Sequence, residues 1–261
     1  MINTARLTNE VAIITGAADG IGKTIASVFC QHGAKVCVAD INETQGAMVA
    51  QELCSQGFEA IFVKVDISQS SSVENMVKVT VEQLGSPTIL VNNAALISVG
   101  KEVFDVTDDM WHKNFSVNVD GMWFCSKAVL PYMKQHGRGS IVNVGSVHSF
   151  KIVPGYFPYA VTKHAVIGLT RNLAAEFGAF NIRVNALCPG MVETPMAFKS
   201  WEACDDPVAA RKSIADVHPL KRNASTEEIA YPALFLASQE SSFMTGQSLI
   251  VDGGRSIIYH E

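Results

Sequence analysis

The amino-acid sequence predicts an α/β fold, with one doubly wound parallel sheet and helices on both of its faces. Three observations predict it. Short apolar, β-branched runs alternate with longer stretches whose apolar residues recur at helical spacing. A glycine-rich turn joins the first run to the first helical stretch. No Pro/Ser-rich linker, low-complexity tract or repeat divides the 261 residues, so a single domain is expected over 1–261. Strands separated by helices of this length need right-handed crossovers, which make the sheet parallel.

Taken in order, the runs place strands at 11–15, 35–39, 59–65, 88–92, 140–144, 181–188 and 248–251. Between them, Ile21, Ile25, Val28 and Phe29 form one helical stripe, and Val73, Met76, Val77, Val81 and Leu84 another. Asn42-x-x-Gln45, Ser71-x-x-Glu74 and Ser225-x-x-Glu228 match capping boxes at helix starts. A net charge of −5 gives no electrostatic footprint for nucleic acid or an anionic membrane, so neither is expected as a partner. No apolar stretch approaches a membrane span, and Met1–Arg6 lacks a run of signal-peptide type. The six cysteines are scattered without a Cys-x-x-Cys pair, which predicts reduced thiols and a cytoplasmic protein. The histidines lack metal-ligand spacing, so no metal site is expected.

Ligands of such sheets bind at the carboxyl ends of the strands, and that rule selects the candidate residues. The first strand runs into Thr15-Gly16-Ala17-Ala18-Asp19-Gly20-Ile21-Gly22. Glycines there let the backbone turn tightly and approach a pyrophosphate, while the helix beyond presents free N–H groups. Asp40 follows the second strand, with Ile41 beside it. A carboxylate at that corner accepts hydrogen bonds from ribose hydroxyls and repels a 2′-phosphate. With no Lys or Arg at 17, 18, 41 or 42, the corner favours NAD over NADP. Asp66 and Ile67 end the third strand, and Asn92-Asn93-Ala94-Ala95 the fourth, where the amides either tie strand ends together or line the cofactor groove.

Ser146, Tyr159 and Lys163 carry the chemistry. Tyr159 and Lys163 are four residues apart, which on a helix puts both on one face. Ser146 lies just beyond the strand at 140–144. An unperturbed tyrosine has a pKa of about 10, and lowering it by about three units takes roughly 4 kcal/mol. A neighbouring ammonium works in that direction. The trio is suited to moving a proton on or off an alcohol oxygen.

These pieces occur in an order that resembles the short-chain dehydrogenase/reductase family over essentially the whole chain. The order runs from the glycine-rich turn through Asp66, Asn92-Asn93-Ala94, Asn118, Ser146 and the Tyr159/Lys163 pair to Pro189-Gly190, Thr194 and Val251-Asp252-Gly253-Gly254. Ala95 departs from the family's usual glycine. The resemblance implies a single Rossmann-type domain with a seven-stranded sheet. It also implies hydride transfer between nicotinamide C4 and a carbinol carbon. In that scheme Tyr159 is the acid/base, Lys163 holds the nicotinamide ribose and lowers the tyrosine pKa, and Ser146 polarises the substrate oxygen. Asn118 anchors a water that relays protons to Lys163. Cofactor contacts are then Gly16, Asp19, Gly20, Ile21, Gly22, Asp40, Ile41, Asp66, Ile67, Asn93, Ala94, Tyr159, Lys163, Pro189, Gly190, Val192 and Thr194.

The segment 195–212 reads as a substrate lid, and pocket candidates are Ser146, His148, Val153, Tyr156, Met191, Met196 and Trp201. The polar ones suggest a sugar, polyol or other oxygenated cyclic alcohol. Two other readings are a 3-oxoacyl thioester reductase and a dinucleotide sensor without catalysis. Neither suits the residues as well. Reductases of that kind carry basic residues where this chain has Ala18-Asp19, and a sensor would have shed a proton-handling group. Small residues at Ala160 and Gly168, beside Val161, Ala165, Leu169 and Leu173, suggest helix pairing between copies and a homotetramer.

Overall fold

The computed structural model describes residues 5–100 and 102–258. Met1–Thr4, and with them most of the leaderless N-terminal reading, lie outside the described residues. The strands are β1 (Val11–Thr15), β2 (Lys35–Asp40), β3 (Ala60–Lys64), β4 (Ile89–Asn92), β5 (Gly139–Val144), β6 (Ile182–Pro189) and β7 (Ser248–Val251). They form one sheet in the order β3-β2-β1-β4-β5-β6-β7, and every pairing is parallel. The helices are α1 (Gly20–Gln31), α2 (Glu43–Ser55), α3 (Ser70–Leu84), α4 (Asp108–Phe115), α5 (Gly121–His136), α6 (Tyr159–Phe177), α7 (Pro195–Glu202), α8 (Pro207–Asp216) and α9 (Glu227–Ala237).

Period-two alternation along buried strands sorts their side chains onto two faces. Ile14, Val36, Val38, Val91 and Val142 pack with Ile25 and Phe29 of α1, Val49 of α2 and Leu234 of α9. Ile13, Cys37, Leu90, Ile141 and Val184 pack on the other face with Met76 of α3, Val129 of α5 and Leu173 of α6. Burying each Leu, Ile or Phe of this kind contributes about 1.5–3 kcal/mol, and both faces are sealed in this way. The strand order reverses between β1 and β4, so a crevice opens at their carboxyl ends.

Three local expectations meet different outcomes. Asn42 caps α2 by accepting from Gln45 N at 3.2 Å, and Ser225 and Glu228 bond each other's backbone N–H before α9. The box at Ser71 does not form: α3 already begins at Ser70, after a Gln69 that makes no side-chain cap. Ser72, one position on, instead accepts from Asp66 N at 3.1 Å. The third strand also stops short of Asp66, because that carboxylate accepts from both Ser68 N (3.0 Å) and Ser68 Oγ (2.7 Å) and bends the chain out of the ladder. Among the described residues, no helix is long and apolar enough to cross a membrane. All six cysteines are free thiols.

Candidate active site

The crevice is built by β1 and the turn that follows it. Gly16 has φ +65°, and a Cβ there would lie 2.8 Å from Ala94 Cα. Gly22 is tighter still, since a Cβ would meet Gly16 O at 2.1 Å. Both positions need glycine for close backbone approach. Thr15 Oγ1 accepts from Asn93 N (3.0 Å) and Ala94 N (3.1 Å), binding the ends of β1 and β4 together. Asn93 Nδ2 donates to Thr15 O (3.0 Å) and Gly16 O (2.9 Å), so its amide straps the turn in place. Asn92 is buried and donates to Asn143 Oδ1 at 2.8 Å, which makes it structural. Among the described residues, the non-glycine ones with positive φ are Asn9, Asn181 and Lys221, so Ala95 sits in its place without left-handed backbone strain.

Asp40 faces this turn. Its Oδ2 accepts from Ala18 N and its Oδ1 from Asn42 N, both at 2.9 Å. The carboxylate thus holds the glycine-rich turn to the end of β2, and each oxygen keeps a lone pair for a further donor. Ile41 is exposed beside it. Asp19 turns its carboxylate back onto Gly20 N at 2.7 Å as the cap of α1, which leaves its backbone for a ligand. Ile21, next in line, is half-buried against the α1 face of the core. Ile67 is buried with its side chain against Gly121, so it too offers backbone only. Across the crevice, Gly190 N donates to Val251 O at 2.9 Å, and Val192 is buried against Ala224. Thr194 caps α7 and sits against Gly20, where a Cβ would lie 3.4 Å from its methyl. A dinucleotide fits such a cradle: free N–H groups at the start of α1, a carboxylate at one end, and a gap that only glycine leaves open.

Ser146, Tyr159 and Lys163 come together beside this crevice, all buried. Lys163 Nζ donates to Val144 O at 2.8 Å and stands 5.5 Å from the centre of the Tyr159 ring. Ser149 Oγ donates to Lys163 O at 2.7 Å, which locks the loop after β5 onto α6. Burial, partly opposed by hydrogen bonding with the Ser146 side chain, pushes the Tyr159 phenol up to about 12. Burial also pulls Lys163 down to about 8. The expected depression of the tyrosine by its lysine is therefore overturned in the chain by itself. Desolvation acts on both groups at once and is the largest cause for each.

Asn118 lies in a π-helical turn, Ser116–Asp120, between α4 and α5. Its side chain bonds Leu96 N (2.7 Å), Leu96 O (2.8 Å) and Thr162 Oγ1 (3.0 Å). Both amide hydrogens are spent, so this side chain ties the first turn of α6 to the loop after β4 and cannot donate to a relay water.

His148 is buried, stacks on Tyr156 with ring centres 4.4 Å apart, and meets the Tyr159 ring edge-on at 5.9 Å. Val153 and Met191 are half-buried, and Met196 is exposed on α7. Trp201 is buried edge-on against Phe198, 5.3 Å away, inside the segment expected to be a lid. Among the described residues its one ring contact is with Phe198, and its indole N–H is buried without a partner. Glu193 holds α8 from below through a paired hydrogen bond with Arg211, both contacts 2.8 Å. Thr15, Ser149 and Thr162 are site-building residues that motif spacing did not single out. Their signal is a hydroxyl at a strand end or between chemistry-bearing positions.

A family model described as Enoyl-(Acyl carrier protein) reductase matches residues 16–256. The chain belongs to the short-chain dehydrogenase/reductase family. This short-chain dehydrogenase/reductase is 40% identical over 255 residues to Oxidoreductase UcpA of Escherichia coli O157:H7, covering 97% of this chain and 96% of that one. It is 38% identical over 253 residues to 2-keto-3-deoxy-L-fuconate dehydrogenase of Xanthomonas campestris pv. campestris, covering 96% of this chain and 81% of the relative. A crystal structure of a gluconate 5-dehydrogenase from Burkholderia cenocepacia, in complex with NADP and tartrate, superposes with a TM-score of 0.91 at 32% identity. That likeness covers 98% of this chain and 99% of the other. The family and the doubly wound fold stand as expected, and the protein is an oxidoreductase.

Proposed function

We propose that this oxidoreductase uses NAD to interconvert a secondary alcohol and a ketone on a sugar, polyol or similar oxygenated substrate. The observation that carries the reading is the buried Ser146–Tyr159–Lys163 group at the carboxyl edge of the sheet, beside the glycine cradle. When bound, the nicotinamide ring supplies or accepts the hydride. The protein's part is the proton. The Ser146 hydroxyl orients the substrate oxygen, and Tyr159 gives or takes the proton there. At about 12 the phenol is fully protonated at neutral pH, ready to donate to a ketone oxygen. Lys163, at about 8, keeps its positive charge near neutrality and can pass it a proton. Asn118 acts through position, holding Thr162 and thereby the turn that carries both groups.

Relatives named for a ketodeoxy sugar acid and for gluconate support an oxygenated substrate. Asp40 supports NAD, although the gluconate 5-dehydrogenase was crystallised with NADP. A screen of sugars, polyols, hydroxysteroids and hydroxyacyl compounds, read by NADH fluorescence, tests the reading. Turnover confined to acyl thioesters, or to none of them, would overturn it.

The cofactor corner makes its own prediction. Asp40→Ala removes the ribose acceptor and the 2′-phosphate repulsion together, so the preference for NAD over NADP should fall by about tenfold or more. It also frees Ala18 N, so the affinity for NAD itself should drop. Paired Kd measurements for the two cofactors check this, and an unchanged ratio would rule out the carboxylate as the discriminator.

A homotetramer remains part of the proposal. The outer face of α6 leaves Val161 and Gly168 exposed, and nothing lies within 4 Å of a Cβ built at Gly168. That open, small-residue face suits close helix packing by a second copy. Light scattering that returned a monomer mass would refute it.

A further inference from the structure

We infer that Arg255 binds a substrate carboxylate, so that the substrate is a hydroxy acid of the sugar type, with one of its hydroxyls on His148. The inference rests on the oxidoreductase reading above and narrows its substrate.

Sheet order brings Arg255 to the site. The loops leaving β5, β6 and β7 carry His148, Gly190 and Arg255 in turn, and all three lie at the carboxyl edge. Adjacent strands are about 4.8 Å apart, so β5 and β7 lie roughly 10 Å apart. An arginine side chain and a small ligand together bridge that distance. The turn carrying Arg255 is fixed: Asp252 Oδ1 accepts from Gly254 N (2.9 Å), Oδ2 from Ser256 N (2.7 Å), and Arg255 N donates to Asp252 O (3.1 Å). That turn also packs on the loop after β6, since a Cβ at Gly190 would lie 2.9 Å from Asp252 Cα.

The charge of Arg255 is uncommitted. Among the described residues it makes no ion pair and no side-chain hydrogen bond, whereas Arg211 and Arg222 are each paired with a glutamate. The nearby Asp252 carboxylate accepts from backbone N–H groups and makes no ion pair with Arg255. A half-buried arginine without an anion matches a planar carboxylate, which its guanidinium can grip with two parallel N–H bonds.

His148 supplies the complementary half. Its Nδ1 is shut from solvent without a hydrogen-bond partner, beside the Tyr159 ring. Burial first, then the charge of Arg255, then His164, hold its pKa down to about 4, so the ring is neutral. The same influence places Arg255 within electrostatic reach of His148. A neutral imidazole accepts from one nitrogen and donates from the other, which suits a hydroxyl, while the carboxylate goes to the guanidinium.

The test compares gluconate with sorbitol, which share a carbon skeleton and differ by a carboxylate. Wild-type protein with NAD should favour gluconate, and Arg255→Gln should lower the gluconate-to-sorbitol ratio of kcat/KM by about 10–100-fold, mainly through KM. Arg255→Lys, which keeps the charge but not the fork, should recover part of the ratio. Calorimetric titration of gluconate into the NAD-loaded protein gives a second readout, and binding should weaken in step. A wild type that turns over sorbitol with no preference for the acid overturns the carboxylate site and leaves the oxidoreductase reading intact. If no alcohol yields NADH, that broader reading falls, yet gluconate binding that is lost in Arg255→Gln would still uphold the carboxylate site. Equal gluconate affinity in wild type and Arg255→Gln overturns it.

Discussion

Tyr159→Phe should lower kcat by about 10²–10⁴-fold, the usual worth of one positioned acid/base group, while the Kd for NAD stays within about twofold. The substitution removes one oxygen and keeps the ring. The contacts that place the ring are the edge-on His148 at 5.9 Å and the Lys163 ammonium at 5.5 Å, and phenylalanine preserves both. The phenol's hydrogen-bonding contact is with Ser146, a group assigned to the substrate rather than to the scaffold. Loss of activity therefore reports proton transfer and not disordering. Stopped-flow turnover beside fluorescence titration of the cofactor separates the two effects. A kcat like that of the wild type would remove Tyr159 from the chemistry; a collapse of NAD affinity would show its oxygen is needed to hold the cofactor.

What the sequence made legible follows chain proximity. β1, the glycine-rich turn and α1 are consecutive, so period-two apolar residues, glycines and a 3.6-residue stripe announce them directly. Tyr159 and Lys163 are one helical turn apart, and their shared face needs no tertiary knowledge. Features that depend on distant segments were hidden. The pKa of Tyr159 is governed by how deeply β5, β6 and the loop of Ser146 enclose it, and spacing carries no measure of that. The sequence leaves open whether Asn93 ties strand ends or lines the groove, and its amide is bonded to Thr15 O and Gly16 O, which lie on another strand's end. Trp201 has the same composition signal whether it faces a ligand or core, and its edge-on contact with Phe198 had no signal in spacing. Arg255 directly follows the Val251-Asp252-Gly253-Gly254 motif but lies more than a hundred residues from His148, and the β5-β6-β7 order brings the two to one edge of the sheet.

Lys163→Met should do two opposite things: abolish most turnover and make the fold more stable at neutral pH. The lysine is enclosed, and its pKa falls from 10.5 to about 8. That fall corresponds to roughly 3 kcal/mol spent on keeping a buried ammonium at pH 7. Methionine is close in shape and carries no charge. It leaves Val144 O without the Nζ donor, which gives back about 1 kcal/mol. The net gain is about 2 kcal/mol, or roughly 5 °C in Tm for a domain of this size. The pH dependence has a definite sign. Below about 8 the amine is charged in both folded and unfolded chains, and the cost is carried in full. Between about 8 and 10.5 the unfolded chain binds more protons than the folded one, so wild-type stability rises with pH and the advantage of the variant shrinks. Above 10 the phenol of Tyr159, raised to about 12, begins to act the other way, since the unfolded chain ionises first. Melting curves of wild type and Lys163→Met from pH 6 to 10 check this. A variant no more stable at pH 7, or a gap that does not narrow above pH 8, would mean that the ammonium is solvated well enough to cost the fold nothing. Its place in the site would then come from the Val144 hydrogen bond alone.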